Sequence, residues 1–456
     1  MRNAKSKNMD LTQGPVAKQL LLYTFPIFIS LLLQNLYSTI DQIVAGRFAG
    51  KDALAAIGST TYSISLILSL ISGLATGANV LIANFRGGQH YTDSRKAVHA
   101  SLVMSVVGGC GIGLLGYLLT NPMLTWTGTP EGELFQQASL YMRIRFVGVP
   151  FSMIYNFGSA ILRAYGDTKR PMVIVSASGI INVVLNLIFV LAFSMGADGV
   201  AWATVISQVV TAVWVLLILA SPKDEYKIKL REMKLYGSIS TTIVRIGLPM
   251  GISTMLMSLS GVFLQSSINS FGPTIMAGSA AANTLTSLCA VVLSSFFQGS
   301  VTFSGQCYGA GKYKRLDQLF IWGNVLCGIA SLVIAVLCTI FARPLLFLVN
   351  TDPFVIEAGV PKLLYIVWGY VLQGAAQIPL GINRGMKKSL GPTSISLFAL
   401  CMSRLLWIWF VFPHWSDNIH VLYFCLPLSM ILNFLGHTVF YFIYRRKLPK
   451  ERPYTN

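Results

Sequence analysis

Long apolar segments alternate with short polar connections along the whole chain. Each segment is about as long as, or longer than, the roughly 20 apolar residues that cross a bilayer as a helix. Lipid offers the backbone no hydrogen-bond partner, and the pattern is not the short alternation of a barrel, so we expect helices. The pattern predicts twelve spans, at residues 18–45, 53–84, 97–119, 134–161, 171–194, 197–220, 240–268, 276–304, 317–341, 357–382, 392–412 and 419–444.

The composition agrees with a membrane environment. Of the 456 residues, 54% are hydrophobic and only 11% are charged, whereas soluble domains carry about 25% charged residues. This balance excludes a disordered chain, a coiled coil and a secreted disulfide scaffold. The seven cysteines lie in or beside apolar segments without a CxxC pair, so we interpret them as small buried hydrophobic residues. The predicted fold class is an all-α integral membrane protein.

The distribution of charge predicts the orientation. The formal net charge is +18. With the N-terminus in the cytoplasm, the inner segments collect 26 Lys and Arg residues, and the outer loops hold only Arg47, Lys51 and Arg343. Basic residues favour cytoplasmic loops, so we expect both termini in the cytoplasm and an even number of spans. Topology then explains the basic charge, and we expect no nucleic-acid partner. The long basic leader up to Lys18 is not typical of a cleavable signal.

The two halves of the chain match weakly but in register. Corresponding residues recur at offsets that drift from 223 through 222 to 221: Pro26 and Pro249, Gly77 and Gly299, Gly148 and Gly369. Six spans in each half return the chain to the same side, so we interpret the halves as parallel repeats with a substrate path between two lobes. We predict an N-terminal six-helix lobe at 1–220, a basic cytoplasmic linker at 221–239, and a C-terminal six-helix lobe with a basic tail at 240–456.

One carboxylate falls well inside an apolar segment. Asp41 shares a helical face with Gln34, Tyr37 and Ser38, at spacings typical of a polar stripe that lines a cavity. A carboxylate at a helix centre costs about 3 kcal/mol or more, so it indicates a functional site. It could exchange a proton or, with neighbouring carbonyl groups, hold a sodium ion. The alternative is a structural carboxylate near the outer end of the helix.

Other polar residues inside the spans extend or accompany this site. Asn182 and Asn186 are one turn apart in the fifth span, and Thr204 lies in the sixth. They either belong to the Asp41 site or join helices to one another. Pro26 and Pro249 interrupt the first helix of each half, and each makes either a static kink or a bend that responds to Asp41.

The second half has polar residues but no deep carboxylate. Gln265 and Asn269 form one pair at helical spacing, and Gln373 begins another. Arg404 is deep in its span, where it either faces the central cavity and binds anionic groups or pairs with a carbonyl group. For Lys362, which is nearer a span end, snorkelling to the interface is a fair explanation.

Four stretches resemble one family of transporters, the multidrug and toxic compound extrusion (MATE) family. This family belongs to a superfamily that also holds polysaccharide and lipid flippases. The stretches are Gln34–Gly50 (QNLYSTIDQIVAGRFAG), Ala53–Gly58 with Gly73–Gly88, Ile161–Pro171 (ILRAYGDTKRP), and Ile181–Gln208. The resemblance implies two six-helix lobes with alternating access. It further implies export of amphipathic, often cationic, molecules in exchange for H+ or Na+.

The resemblance also implies roles for particular residues. Asp41 matches the aspartate that the family uses for cation coupling, and Pro26 matches the proline of the bending first helix. Asn182 and Thr204 match polar positions beside that aspartate. We expect a bacterial plasma (inner) membrane protein that acts as a monomer without a cofactor, and whose partners are the lipid bilayer and small-molecule substrates.

One position departs from the family pattern. Asn186 stands where the fifth helix commonly has a second aspartate, and Leu187 stands where a proline usually follows. An amide cannot take up a proton at neutral pH, but it can offer a carbonyl oxygen to Na+. The coupling, to H+ or Na+, is then expected to rest on Asp41, and we expect no metal ion other than a Na+ that Asp41 could hold. The alternatives are a flippase for lipid-linked oligosaccharides or lipids and, less favoured because the histidines show no HxxxH spacing, a membrane-embedded enzyme.

Overall fold

The structure is a computed structural model in which residues 9–221, 228–415 and 418–449 are described. These residues are almost entirely helical, and no strand occurs among them. Some basic residues of the predicted inner segments lie outside the described ranges, namely Arg2, Lys5, Lys7, Lys223, Lys227, Lys450 and Arg452.

The first half of the chain forms six long helices. They are α1 (Val16–Val44), α2 (Lys51–Gly87), α3 (Tyr91–Trp126), α4 (Glu133–Ala164), α5 (Lys169–Leu187) and α6 (Ala197–Ala220). A π-helical turn extends α1 at Ala45–Ala49, and another extends α5 at Ile188–Ala192.

The second half repeats this order with a more broken fifth member. Its helices are α7 (Gly237–Asn269), α8 (Pro273–Gly309), α9 (Tyr313–Ile340), the short α10 (Ala342–Phe347), α11 (Pro353–Gly385), α12 (Leu390–Leu397), α13 (Ser403–Leu406) and α14 (Ile419–Arg446). The π turns Phe398–Met402 and Trp407–Val411 lie on either side of α13. They join α12 and α13 into one span at Leu390–Trp415.

The predicted all-α membrane fold is confirmed. Among the described residues, eleven helices are long and apolar enough to cross a membrane. The twelfth long helix, α4, has 32 residues but carries Arg143 and Arg145 in its interior. Most helices extend beyond the predicted segments, and the third runs over Tyr91–Trp126 where 97–119 was expected. Polar residues at a span end can continue the backbone ladder outside the hydrocarbon, where hydropathy no longer marks the helix.

Contacts divide the chain into two units whose limits differ from the predicted lobe boundaries. The first unit contains Met9, Ile29–Arg86 and the described part of His90–Gly251. The second contains Asp10–Phe28, Gly87–Gln89 and the described part of Ile252–Asn456. The first part of α1 therefore groups with the second half of the chain, and the first part of α7 groups with the first half.

Close helix crossings in each unit explain this grouping. In the first unit, α2 meets the beginning of α7 at Gly73 and Gly77, and a Cβ on Gly77 would lie 2.6 Å from the carbonyl oxygen of Ile243. In the second unit, a Cβ on Gly299 would lie 2.5 Å from the hydroxyl of Thr24 in α1. Small residues allow helices to approach closely in lipid, where packing replaces the hydrophobic effect as the driving force.

Residues 229–232, in the connection between α6 and α7, dock onto the start of α3 within the first unit. Two N–H groups of Arg95, at Nε and Nη2, donate to the two oxygens of the Glu232 carboxylate, and Nε lies 2.6 Å from Oε2. His99 Nε2 accepts from the backbone N–H of Lys229 at 3.0 Å, while its Nδ1 lies 2.7 Å from the Arg95 carbonyl oxygen. The hydrogen bonds from Arg95 hold the pKa of Glu232 below its usual value.

Substitution of Gly73 tests the crossing of α2 and α7. A Cβ at Gly73 would collide with the backbone of Gly251, which cannot rotate away as a side chain can. Gly73→Val should cost about 1–3 kcal/mol or more through overpacking and lower the thermal unfolding temperature in detergent. Gly58→Val is the matched control, because a Cβ at Gly58 in the same helix meets no atom within 4 Å. Equal unfolding temperatures for the two variants would contradict this packing.

Substitution of Glu232 tests the docked segment. Because the pKa of Glu232 is lowered, the ion pair contributes at all pH values above the ordinary glutamate pKa. That contribution is lost only as the pH falls through the lowered value. Glu232→Gln should therefore speed tryptic cleavage after Lys229 several-fold at neutral pH, because the backbone of Lys229 is held against His99 while the segment is docked. Glu131→Gln, in the connection between α3 and α4, is the control. Cleavage of Glu232→Gln at the wild-type rate would show that the ion pair does not hold the segment.

Candidate functional site

Three helices of the first unit bring polar side chains together around Asp41. Asp41 lies in the last turn of α1, three residues before Val44. Asn182 and Asn186 are four residues apart in α5, so they lie on the same face of that helix. Thr204 belongs to the second turn of α6. The pattern of single polar residues in apolar helices thus becomes one polar cluster in space.

The amide of Asn186 makes the central contact of this cluster. Its Nδ2 donates to Asp41 Oδ1 at 2.5 Å and lies 3.4 Å from Asn182 Oδ1. The Thr204 hydroxyl donates to the Val200 carbonyl at 2.9 Å, and its side chain is also close enough to hydrogen-bond the Asp41 carboxylate. A charged carboxylate in a low-dielectric interior needs such donors to offset its desolvation.

One acceptor of the cluster is left without a partner. Asn186 is fully buried, and its Oδ1 has no hydrogen-bond partner. An unpaired buried polar atom costs about 1–3 kcal/mol, which a bound ligand can recover. Rotation of the amide exchanges Oδ1 and Nδ2, so Asn186 can present either a donor or an acceptor to Asp41. Together with Asn182 Oδ1, the cluster therefore fits a hard cation that prefers oxygen ligands.

Helix α4 adds a charged residue that the sequence analysis did not assign to the site. Arg145 is the positively charged side chain that acts electrostatically on Asp41, and it acts on the buried Tyr141 as well. Arg145 also lines a pocket of the first unit together with Ser152 and Gln208. The signal was a polar stripe of Tyr141, Arg145 and Ser152 on one face of α4, spaced by four and seven residues.

Both main helices of the site change winding directly after their site residues. The π turn Ala45–Ala49 begins four residues after Asp41, and the π turn Ile188–Ala192 begins two residues after Asn186. The two π turns contact each other. A π turn inserts one extra residue and occurs frequently at functional sites. Here it separates the site from the ends of both helices.

The polar stripe of α1 is only partly turned toward its neighbours in the first unit. The Tyr37 hydroxyl donates to the carbonyl oxygen of Ser176 at 3.1 Å, and its ring packs on Gly179, where a Cβ would collide with it. Gln34 and Ser38 are exposed. Tyr37 therefore packs against α5, the helix that carries the two asparagines, whereas Gln34 and Ser38 lie on an exposed face of α1.

The predicted polar residues of the second unit have separate partners. Gln265 donates to Asn269 at 2.9 Å on an exposed face of α7, whereas Gln373 accepts from the buried Asn433 at 3.2 Å. Arg404, between the two π turns, donates through Nε to the Ser429 hydroxyl at 2.9 Å. No carboxylate takes part in these contacts.

The two prolines lie where the contact grouping of their helices changes. Pro26 is inside α1 and Pro249 is inside α7. In both helices the chain passes from one unit to the other two residues after the proline. A proline removes one backbone hydrogen bond of the helix. Each helix therefore has fewer backbone hydrogen bonds close to the residue at which it passes from one unit to the other.

Comparisons with known proteins identify the repeat and the fold. The MatE family model matches the chain twice, at residues 26–188 and 249–409. The two matches begin at the paired prolines, and the predicted internal repeat is thereby confirmed. The chain is 28% identical to "Probable multidrug resistance protein YoeA" of Bacillus subtilis (strain 168), over 86% of this chain and 88% of that protein.

A second relative and a solved structure extend the comparison. "Multidrug export protein MepA" of Staphylococcus aureus (strain NCTC 8325 / PS 47) is 22% identical over 84% of this chain and 85% of its own length. The crystal structure of "MATE in complex with MaL6" superposes with a TM-score of 0.92 at 22% identity. It covers 97% of this chain and 99% of that one. The likeness to the solved structure shows a shared fold.

Proposed function

The chain belongs to the MatE family of membrane transporters, and on that premise we propose that it exports amphipathic, often cationic, small molecules in exchange for a cation. The names of its curated relatives, a multidrug resistance protein and a multidrug export protein, support export over the flippase alternative. The excess of basic residues in alternate connections supports cytoplasmic termini in a bacterial inner membrane. We further propose that the monomer is the working unit.

One observation carries this proposal: the only deep carboxylate predicted from the sequence is the centre of a polar cluster. Asp41 is held by Asn186 at 2.5 Å and is adjacent to Thr204. A carboxylate that served only to join helices would need donors alone. This cluster instead contains acceptor oxygens of Asn182 and Asn186 beside the carboxylate, which is the composition of a cation site.

We propose Na+ as the coupling ion. One carboxylate and the neutral oxygens of two amides and a hydroxyl offer a single negative charge, which a monovalent cation neutralises. The buried, unpartnered Oδ1 of Asn186 supports this assignment. A proton shared between two carboxylates is not available here, because position 186 is an amide. Proton coupling through Asp41 alone is the competing mechanism.

Arg145 is proposed to compensate the negative charge of Asp41 when the cation has left. It acts electrostatically on Asp41, so the carboxylate is not without a positive partner in the cation-free state. A cation that enters must compete with this positive charge. Arg145 therefore lowers the affinity for the cation and allows its release, which an antiporter requires in every cycle.

The bend that accompanies transport is proposed to lie at Pro26. Asp41 is 15 residues further along α1, about 22 Å at the rise of an α-helix. Because the parts of α1 on the two sides of this proline belong to different units, a change of direction at Pro26 moves the Asp41 end relative to the beginning of the helix. Pro249 occupies the corresponding place in α7.

Replacement of Asp41 tests the coupling role. Asp41→Asn should reduce gradient-driven export in inside-out vesicles by at least about tenfold, because a neutral amide cannot replace the charge that holds the cation. Asp52→Asn is the matched control, since Asp52 is an exposed carboxylate at the start of α2. A Na+ gradient with the proton gradient collapsed should drive wild-type export. Export driven by protons alone would overturn the choice of ion, and undiminished export by Asp41→Asn would overturn the role of Asp41.

Replacement of Arg145 tests the charge balance. Arg145→Met should raise the apparent affinity for Na+ several-fold, because the competing positive charge is gone, and should slow turnover at saturating Na+. Arg143→Met is the control. Arg143 lies two residues away in α4 but contacts Asn121 and the ring of Tyr117 instead. An unchanged or weakened Na+ affinity in Arg145→Met would contradict the proposed competition.

A further inference from the structure

A second charged residue of the membrane region is more deeply buried than the sequence predicted. The expectation that Lys362 snorkels to the interface is wrong, because only 3% of this residue is exposed. Its Nζ lies 2.5 Å from the hydroxyl of Ser279 in α8 and 3.5 Å from the Ser279 carbonyl oxygen. The ammonium group therefore points from α11 toward α8 and not along its own helix toward water.

No acidic side chain of the described second unit compensates Lys362. Its four carboxylates have other partners. Asp10 accepts from Thr12, Asp317 pairs with Arg445, Asp352 caps the start of α11, and Glu357 pairs with Arg343. A buried charge without a partner is expensive in a low-dielectric interior, so the positive charge of Lys362 calls for a negative group that the described part of the second unit does not provide.

The groups around Lys362 are mainly hydrogen-bond donors. The Ser279 oxygen accepts from Lys362, so its O–H is free to donate elsewhere. The hydroxyl of Tyr423 in α14 approaches the Ser279 side chain, yet it is fully buried and has no hydrogen-bond partner. The hydroxyl groups of Ser279 and Tyr423 and the ammonium group of Lys362 thus come together from three helices. The Tyr423 hydroxyl has no hydrogen-bond acceptor there.

The helix crossing beside the cluster makes it rigid. At Gly278 a Cβ would lie 2.7 Å from the backbone nitrogen of Gly359, so α8 and α11 are in backbone contact there. Ser279 follows Gly278 directly, and Lys362 lies one turn after Gly359. Because neither backbone can retreat, the donors are held in place before any ligand arrives, which reduces the entropic cost of binding.

We propose that Lys362, Ser279 and Tyr423 form a binding site for a small monovalent anion such as chloride. An anion supplies the missing negative charge and accepts from both hydroxyl groups and from the ammonium group. The ligand must be small, since the residues around it are buried. A single charge suffices, since Lys362 is the only cation in the cluster.

The internal repeat gives this site a counterpart. Gly148 and Gly369 correspond at an offset of 221, and the same offset relates Lys362 to Tyr141. Tyr141 interacts with Asp41 and Arg145 in the first unit. The position that adjoins an anionic site in one repeat therefore carries a cation in the other, so the two repeats differ in the sign of the ion they attract.

Chloride dependence of the purified full chain tests this inference. Wild-type protein should unfold at a higher temperature in NaCl than in sodium gluconate at equal ionic strength, and should bind radioactive chloride saturably. Tyr423→Phe and Ser279→Ala each remove one O–H donor and should weaken chloride binding by about tenfold. Tyr365→Phe is the matched control, because its ring packs on that of Tyr423 at a centroid distance of 6.3 Å.

Lys362→Met provides a separate test, in which the substitution should not lower the stability of the chloride-free protein. It removes the uncompensated charge, so in gluconate this variant should be at least as stable as the wild type, and it should show no response to chloride. If wild-type stability is the same in chloride and gluconate, the inference is overturned. It is equally overturned if Tyr423→Phe and Tyr365→Phe bind chloride equally well.

Discussion

Lipid does not solvate charged groups or unpaired backbone groups, and most contacts of the site follow from this constraint. A carboxylate inside the first unit has to be supplied with partners by the protein itself. Asn186 donates to Asp41, Thr204 lies within hydrogen-bonding reach, and Arg145 contributes a positive charge. The helices that deliver these residues come from distant parts of the sequence. Asp41 thus takes its hydrogen-bond partners from α5 and α6, and the positive charge that acts on it comes from α4.

The same constraint acts on the packing of helices. Since lipid tails are as apolar as the side chains, helices associate by close fit, and glycines at the crossings allow it. Gly73 and Gly77 place the first part of α7 in the first unit, and Gly299 places the first part of α1 in the second. Each first helix is therefore held at its beginning by one unit and at its end by the other. In each of these helices the change of unit follows two residues after the proline.

The sequence predicted the helices well because hydropathy measures the property that selects a span. The internal repeat could also be predicted from the sequence, since Pro26 and Pro249 begin a series of corresponding residues whose offset changes only from 223 to 221. Arg145 was not assigned to the site because its electrostatic interaction with Asp41 depends on how the helices of the first unit pack, which the polar stripe on α4 does not record by itself. The prediction for Lys362 was wrong for a related reason. Its position near a span end suggested snorkelling, but the close crossing of α8 and α11 at Gly278 and Gly359 places it against Ser279. The exchange of helix beginnings between units likewise follows from tertiary packing.

We propose that Asp41, together with the amides of α5, holds the coupling cation. Equilibrium binding of radioactive sodium to the purified protein, without substrate or gradient, tests it most directly. The wild type should show one saturable site, which should be lost in Asp41→Asn and weakened in Asn186→Leu, because the latter removes the unpartnered amide oxygen. Sodium binding of wild-type strength in Asp41→Asn would contradict it.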